Sequence, residues 1–171
     1  LARQPSELAQ WVATLDVPHP PACETIEEFL DGIGKARGRP ITVIDAPMPT
    51  RKVCGLWLAF DHTDTIVVSD QLRGVQRDHV ISHETAHVVF DHKGVNGDLA
   101  SSILDGGLLA TLDSSAVRRV LGRSRRYSED QERNAELLGT FYQASTRGLN
   151  RRTWINDSRS RAAATDLLGR R

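Results

Sequence analysis

At 171 residues and 18.9 kDa the chain is long enough for one domain with a buried core and needs no disulfide or metal staple to hold it. Its 22 Lys and Arg balance 22 Asp and Glu, which argues against a general nucleic-acid or membrane surface, since both favour a basic excess. Cys23 and Cys54 make neither a C-x-x-C pair nor a disulfide framework, no signal peptide is visible, and no apolar stretch nears the roughly 20 residues a bilayer requires, so the expected compartment is cytoplasmic.

In chain order, Leu8, Trp11, Val12 and Leu15 recur at helical spacing and predict a first helix, which Pro18-His19-Pro20-Pro21 breaks. Ile26, Phe29, Leu30 and Ile33 predict a second, ended by Gly38 and Pro40. Three extended segments follow over 41–44, 53–60 and 65–68. The loop Asp61-His62-Thr63-Asp64 joins the last two as a hairpin, which predicts a three-stranded, mostly antiparallel sheet. From about 76 to 91 the pattern is helical, with Val80, Ile81, Val88, Val89 and Phe90 on the apolar face, and Lys93 to Gly97 breaks it. Further helices are expected over 115–121, 128–147 and 153–168. Trp11 and Trp57 read as core anchors, Cys54 as a small buried residue, and His19 and His62 as solvated loop residues. The cluster Arg118, Arg119, Arg123, Arg125 and Arg126 reads as a solvated face rather than a patch for an acidic partner.

One segment carries chemistry. His83-Glu84-Thr85-Ala86-His87 is an H-E-x-x-H motif inside the third predicted helix. Residues four apart lie on one helix face, so both imidazoles can reach one ion. Zinc accepts imidazole nitrogen at roughly 2.0–2.1 Å in a tetrahedral set. Glu84, one residue after the first ligand, lies near the metal without binding it and can act as the base toward water.

Catalytic zinc takes three protein ligands and leaves one place open. Six residues compete for the third place. His92 is five residues past His87, a spacing that rotates it off the metal-facing side. His79 lies one turn before His83 and reads as a polar neighbour. Asp91 is on the same straight helix, an awkward place for a third ligand. Glu129, Glu132 and Glu136 lie on the later helix, which can cross the first. Glu132 is the choice, because Ala135 three residues on is small enough for close helix approach. Glu136, His79 and His92 are candidates to hold a ligand histidine from behind.

These pieces together resemble the ImmA/IrrE family of metallo-endopeptidases over roughly residues 25 to 145. Gly38-Arg39-Pro40-Ile41 resembles the family's entry into its first strand. Gly55-Leu56-Trp57-Leu58, followed by Asp64-Thr65-Ile66, resembles its hairpin. The stretch from His79 to His87, with His92 after it, resembles its active-site helix. Glu132-Arg133-Asn134-Ala135-Glu136-Leu137-Leu138 resembles the helix that supplies its third ligand. Two features depart from the pattern: Gly139 stands where a larger residue or Ala is common, and the stretch from His92 to Glu132 is long.

The resemblance implies an α+β, zincin-like domain over 23–147, with a helical segment over 1–22 before it and a basic helical tail over 148–171 after it. It implies zinc on His83, His87 and Glu132, and Glu84 as general base. The expected activity is cleavage of a regulatory protein such as a helix-turn-helix repressor, with no direct nucleic-acid or membrane partner. The alternative is a zinc-binding regulatory or toxin–antitoxin module that binds a partner without cutting it. An oxyanion donor is expected from His92, Tyr127 or an arginine.

Overall fold

The computed structural model describes residues 6–19, 23–48, 51, 53–92, 119–122 and 127–146. The expected helix over 153–168, the basic tail and residues 93–118 lie outside the described residues. In order, the elements are α1 (Glu7–Ala13), α2 (Ile26–Arg37), β1 (Ile41–Ala46), β2 (Gly55–Ala59), β3 (Asp64–Ser69), α3 (Gly74–Val89), β4 (Arg119–Gly122) and α4 (Glu129–Ser145). The class is α+β.

Local chemistry sets the helix ends. Ser6 and Thr25 cap α1 and α2 by accepting from the backbone N–H three residues on. Gly38 closes α2 at a φ of 64°, a left-handed turn that glycine makes without strain. Ser128 opens α4 with a reciprocal capping box to Gln131. No helix among the described residues is long and apolar enough to cross a membrane.

The sheet is mixed, with strand order β1-β3-β2-β4. β2 and β3 form the expected antiparallel hairpin, with Trp57 opposite Ile66. Two corrections apply. β1 runs parallel to β3, with Ile41 opposite Asp64, because the chain leaves β1 and returns through β2 before β3 enters beside it. A fourth strand, β4, pairs antiparallel with β2 at residues 119–122, where the sequence suggested the end of a helix. Val117, Val120 and Leu121 have helical spacing, but so short a run cannot tell helix from strand by period, and pairing with β2 decides it.

The helices cover one face of this sheet. Leu8 and Val12 of α1, Phe29 and Ile33 of α2, Ile66 and Val68 of β3, Ile81 of α3, and Leu138 and Tyr142 of α4 share one buried cluster. Trp57 is buried as expected, whereas Trp11 and Cys54 are only partly buried against that cluster. His19 and His62 are exposed, as expected.

An ion-pair network ties α2 to the hairpin. Asp64, only 1% exposed, accepts from Arg37 Nη1 and Arg39 Nε, both at 2.9 Å, and its other oxygen accepts from Trp57 Nε1 at 2.9 Å. Arg39 also donates to the carbonyls of Phe60, Asp61 and Thr63. A buried charge is tolerated only when paired this fully. Asp64→Ala leaves two guanidinium groups facing each other, and urea unfolding should register a loss of about 3 kcal/mol.

A second, pH-dependent contribution comes from Tyr142. Its hydroxyl donates to the Pro18 carbonyl at 2.9 Å, and burial pushes its phenol above the ordinary range. A folded value above the unfolded one, about 10, means the stabilisation is complete below about pH 10 and is lost as pH rises further. Alkaline unfolding curves should therefore steepen in the wild type relative to Tyr142→Phe.

Candidate metal centre

The motif helix α3 is buried along most of its length. His83 is 1% exposed, and Glu84 and His87 are fully buried. Such polar burial is costly unless partners meet the groups. For the two histidines, carboxylates come from α4, which packs closely against α3.

The close approach has a visible cause. A Cβ built on Gly139 would stand 2.9 Å from the Cα and 3.0 Å from the N of His83. No other residue fits there without moving one helix. Ala135, fully buried one turn earlier, completes a small-residue face. Gly139, the departure noted above, is therefore what brings α4's carboxylates onto the α3 histidines. On the opposite side, a Cβ on Gly55 of β2 would stand 2.5 Å from Val80 Cγ1 and 3.0 Å from Glu84 Oε1. Glycine at the start of β2 thus lets the sheet press against Glu84.

Three side chains converge. The Nε2 atoms of His83 and His87 lie 3.1 Å apart. Glu132 places Oε2 3.5 Å from His83 Nε2 and Oε1 3.7 Å from His87 Nε2. Donors bound roughly 2.0–2.1 Å from a tetrahedral zinc stand about 3.3–3.4 Å from one another. The observed separations bracket that value, and two imidazoles with one carboxylate are a donor set zinc accepts. This His-His-Glu group can hold a metal ion. Glu132 is about a third exposed, so the triangle is reachable from its side.

The far nitrogens of both motif histidines are also engaged. His83 Nδ1 lies 3.1 Å from Glu136 Oε2. With Glu136 accepting from Nδ1–H, the proton of a neutral ring is held away from Nε2. His79 stands behind Glu136, its Nε2 3.4 Å from Oε1, and its Nδ1 lies 3.3 Å from Gln143 Oε1. His87 Nδ1 lies 2.9 Å from His92 Nδ1. Burial pushes the His92 pKa below its ordinary value, which favours the neutral ring.

Every candidate for a supporting role thus has a contact: Glu136 directly on His83, His92 directly on His87, and His79 through Glu136. Of the competitors for the third place, Glu132 alone joins the two Nε2 atoms. Asp91 and Glu129 are exposed.

Three contributors were not assigned these roles from the sequence. Tyr127, named only as a possible oxyanion donor, stacks on the His87 ring with centroids 4.0 Å and planes 17° apart. It precedes the Ser128 capping box and so couples the entry of α4 to the His87 ring. The other two are the glycines. The spacing of Ala135 and Gly139, small residues four apart on one helix, was the available signal for Gly139. Nothing in the sequence pairs Gly55 with Glu84. A surface cavity of about 360 Å³ opens elsewhere, around Arg37, Arg39 and Asp64, and none of the three candidate ligands lines it.

No family model, curated protein or solved structure matches the chain.

Replacing a helical glycine by alanine normally stabilises by about 1 kcal/mol. Gly139→Ala should do the opposite, because the added methyl meets backbone rather than a yielding side chain. A lower melting temperature together with weaker metal retention on dialysis is expected, and a higher melting temperature would contradict the packing described.

Proposed function

We propose that the chain is a zinc-dependent endopeptidase that cleaves a regulatory protein such as a helix-turn-helix repressor, with His83, His87 and Glu132 as metal ligands and Glu84 as general base. One observation carries this reading. Glu132, 45 positions beyond His87, is brought within ligand reach of both motif histidines, while Glu84 sits beside His83 on the same helix. The ordered resemblance to ImmA/IrrE metallo-endopeptidases supports the choice of substrate class.

A bound zinc ion supplies Lewis acidity, lowering the pKa of water towards about 7 and polarising a peptide carbonyl. The chain's own groups do the rest. His83 and His87 present Nε2 lone pairs, with Glu136 and His92 behind them. Glu84 takes a proton from the attacking water and passes it to the leaving amine. Its burial against Gly55 limits its rotamers and holds the carboxylate in one place. Among the described residues β4 is the edge strand beside β2, and an extended peptide pairs with a sheet through such an edge.

Glu84→Gln tests the assignment. The variant should retain one equivalent of zinc by elemental analysis and lose at least about 100-fold of peptide cleavage. Undiminished cleavage would remove Glu84 from the base role. A wild type that binds zinc and its partner but cuts nothing would favour the non-catalytic regulatory module.

A further inference from the structure

Helix α3 ends on a left-handed residue that is not glycine. Asp91 has a φ of 48°, and Asp is one of the few side chains that adopt this region with little strain. The turn is a Schellman-type cap. Asp91 N–H donates to the Val88 carbonyl at 3.2 Å, and His92 N–H donates to the His87 carbonyl at 3.1 Å. In such caps the residue after the left-handed one commonly makes an apolar contact with the residue whose carbonyl it reaches. Here those two positions are His92 and His87, and their rings meet Nδ1 to Nδ1 at 2.9 Å.

The contact is enclosed. His92 is 8% exposed and stacks on Phe90, with centroids 5.0 Å and planes 18° apart. Tyr127 covers a face of His87. The backbone turn, the Phe90 stack and the Tyr127 stack all restrict how the two imidazoles can turn.

We propose that His92 is a positioning residue for His87: the cap holds its ring so that His87 Nδ1–H donates to His92 Nδ1, leaving the His87 Nε2 lone pair aimed at His83 and Glu132. The proposal rests on reading these three residues as a metal site. With the opposite polarity, His92 donating, a neutral His87 carries its proton on Nε2, where no metal can bind. The arrangement differs from that behind His83, whose Nδ1 faces a carboxylate. An imidazole acceptor orients the ligand ring without adding a negative charge to the site.

Two substitutions in the full chain separate positioning from packing. His92→Asn keeps an acceptor near the place of Nδ1. His92→Phe removes the acceptor and keeps an aromatic ring against Phe90. Zinc affinity, measured by chelator competition, should fall about 10–100-fold in His92→Phe and stay near wild type in His92→Asn. In the metal-free protein, ¹⁵N ring shifts should show His87 protonated on Nδ1 in the wild type and in His92→Asn. They should move towards the Nε2–H tautomer in His92→Phe. Equal zinc affinity in all three proteins, or an equal loss in both variants, would overturn the proposal, as would a His87 tautomer indifferent to His92→Phe. A wild type that takes up no zinc would instead sink the metal reading, and the ring shifts would still report whether His92 sets the His87 tautomer.

Discussion

Helix α3 is held between two glycine contacts, and the geometry of the candidate centre follows from them. On one side Gly139 of α4 lies against the backbone of His83, and on the other Gly55 of β2 lies against the side chain of Glu84. Protein interiors are packed densely enough that a single added methyl at such a point must move a neighbour. Here the neighbours are a candidate metal ligand and the proposed base. Helix crossing and site geometry are therefore one constraint: the distance that lets Glu132 reach both Nε2 atoms is the distance that only glycine at 139 permits.

The cost of this arrangement is polar burial. Ser82, His83, Glu84, Thr85 and His87 are all buried on a helix whose neighbours are largely apolar. Buried polar groups destabilise unless partners meet them. Thr85 donates to the Ile81 carbonyl at 2.7 Å, and the Nδ1 atoms of the two imidazoles meet Glu136 and His92. The apolar cluster built from the four described helices and β3 supplies the offsetting burial, and the Asp64 network locks the hairpin to the end of α2. The Asp64 ion pairs lie around the β2–β3 hairpin, whereas the histidines and carboxylates with metal-binding geometry lie between α3 and α4.

The two motif histidines are alike in sequence and unlike in surroundings. His83 is backed by Glu136, which His79 in turn contacts. His87 is backed by His92 and covered by Tyr127. A carboxylate raises the basicity of the ring it supports more than an imidazole does. Two residues in identical helical settings therefore acquire different electronic character from the elements that pack beside them.

Much of this was legible in the chain alone, for local reasons. The H-E-x-x-H spacing fixes which face of α3 carries both rings, because the period of a helix is a covalent property. Thr25, Gly38 and Ser128 mark helix ends through hydrogen bonds and dihedral preferences that act within a few residues. Glu132 could be singled out because Ala135 signalled a helix face fit for close approach. What stayed hidden was non-local. β4 is a strand because β2 offers it an edge, and β1 is parallel to β3 because of the path taken through β2, and neither fact is written in a period. His92 has a spacing that points away from the metal face, and only the left-handed turn at Asp91 folds it back onto His87. The sequence determined which groups could bind a metal, since helical spacing is local. Tertiary packing decided which of them meet and which nitrogen each presents, since those depend on contacts between segments far apart in the chain.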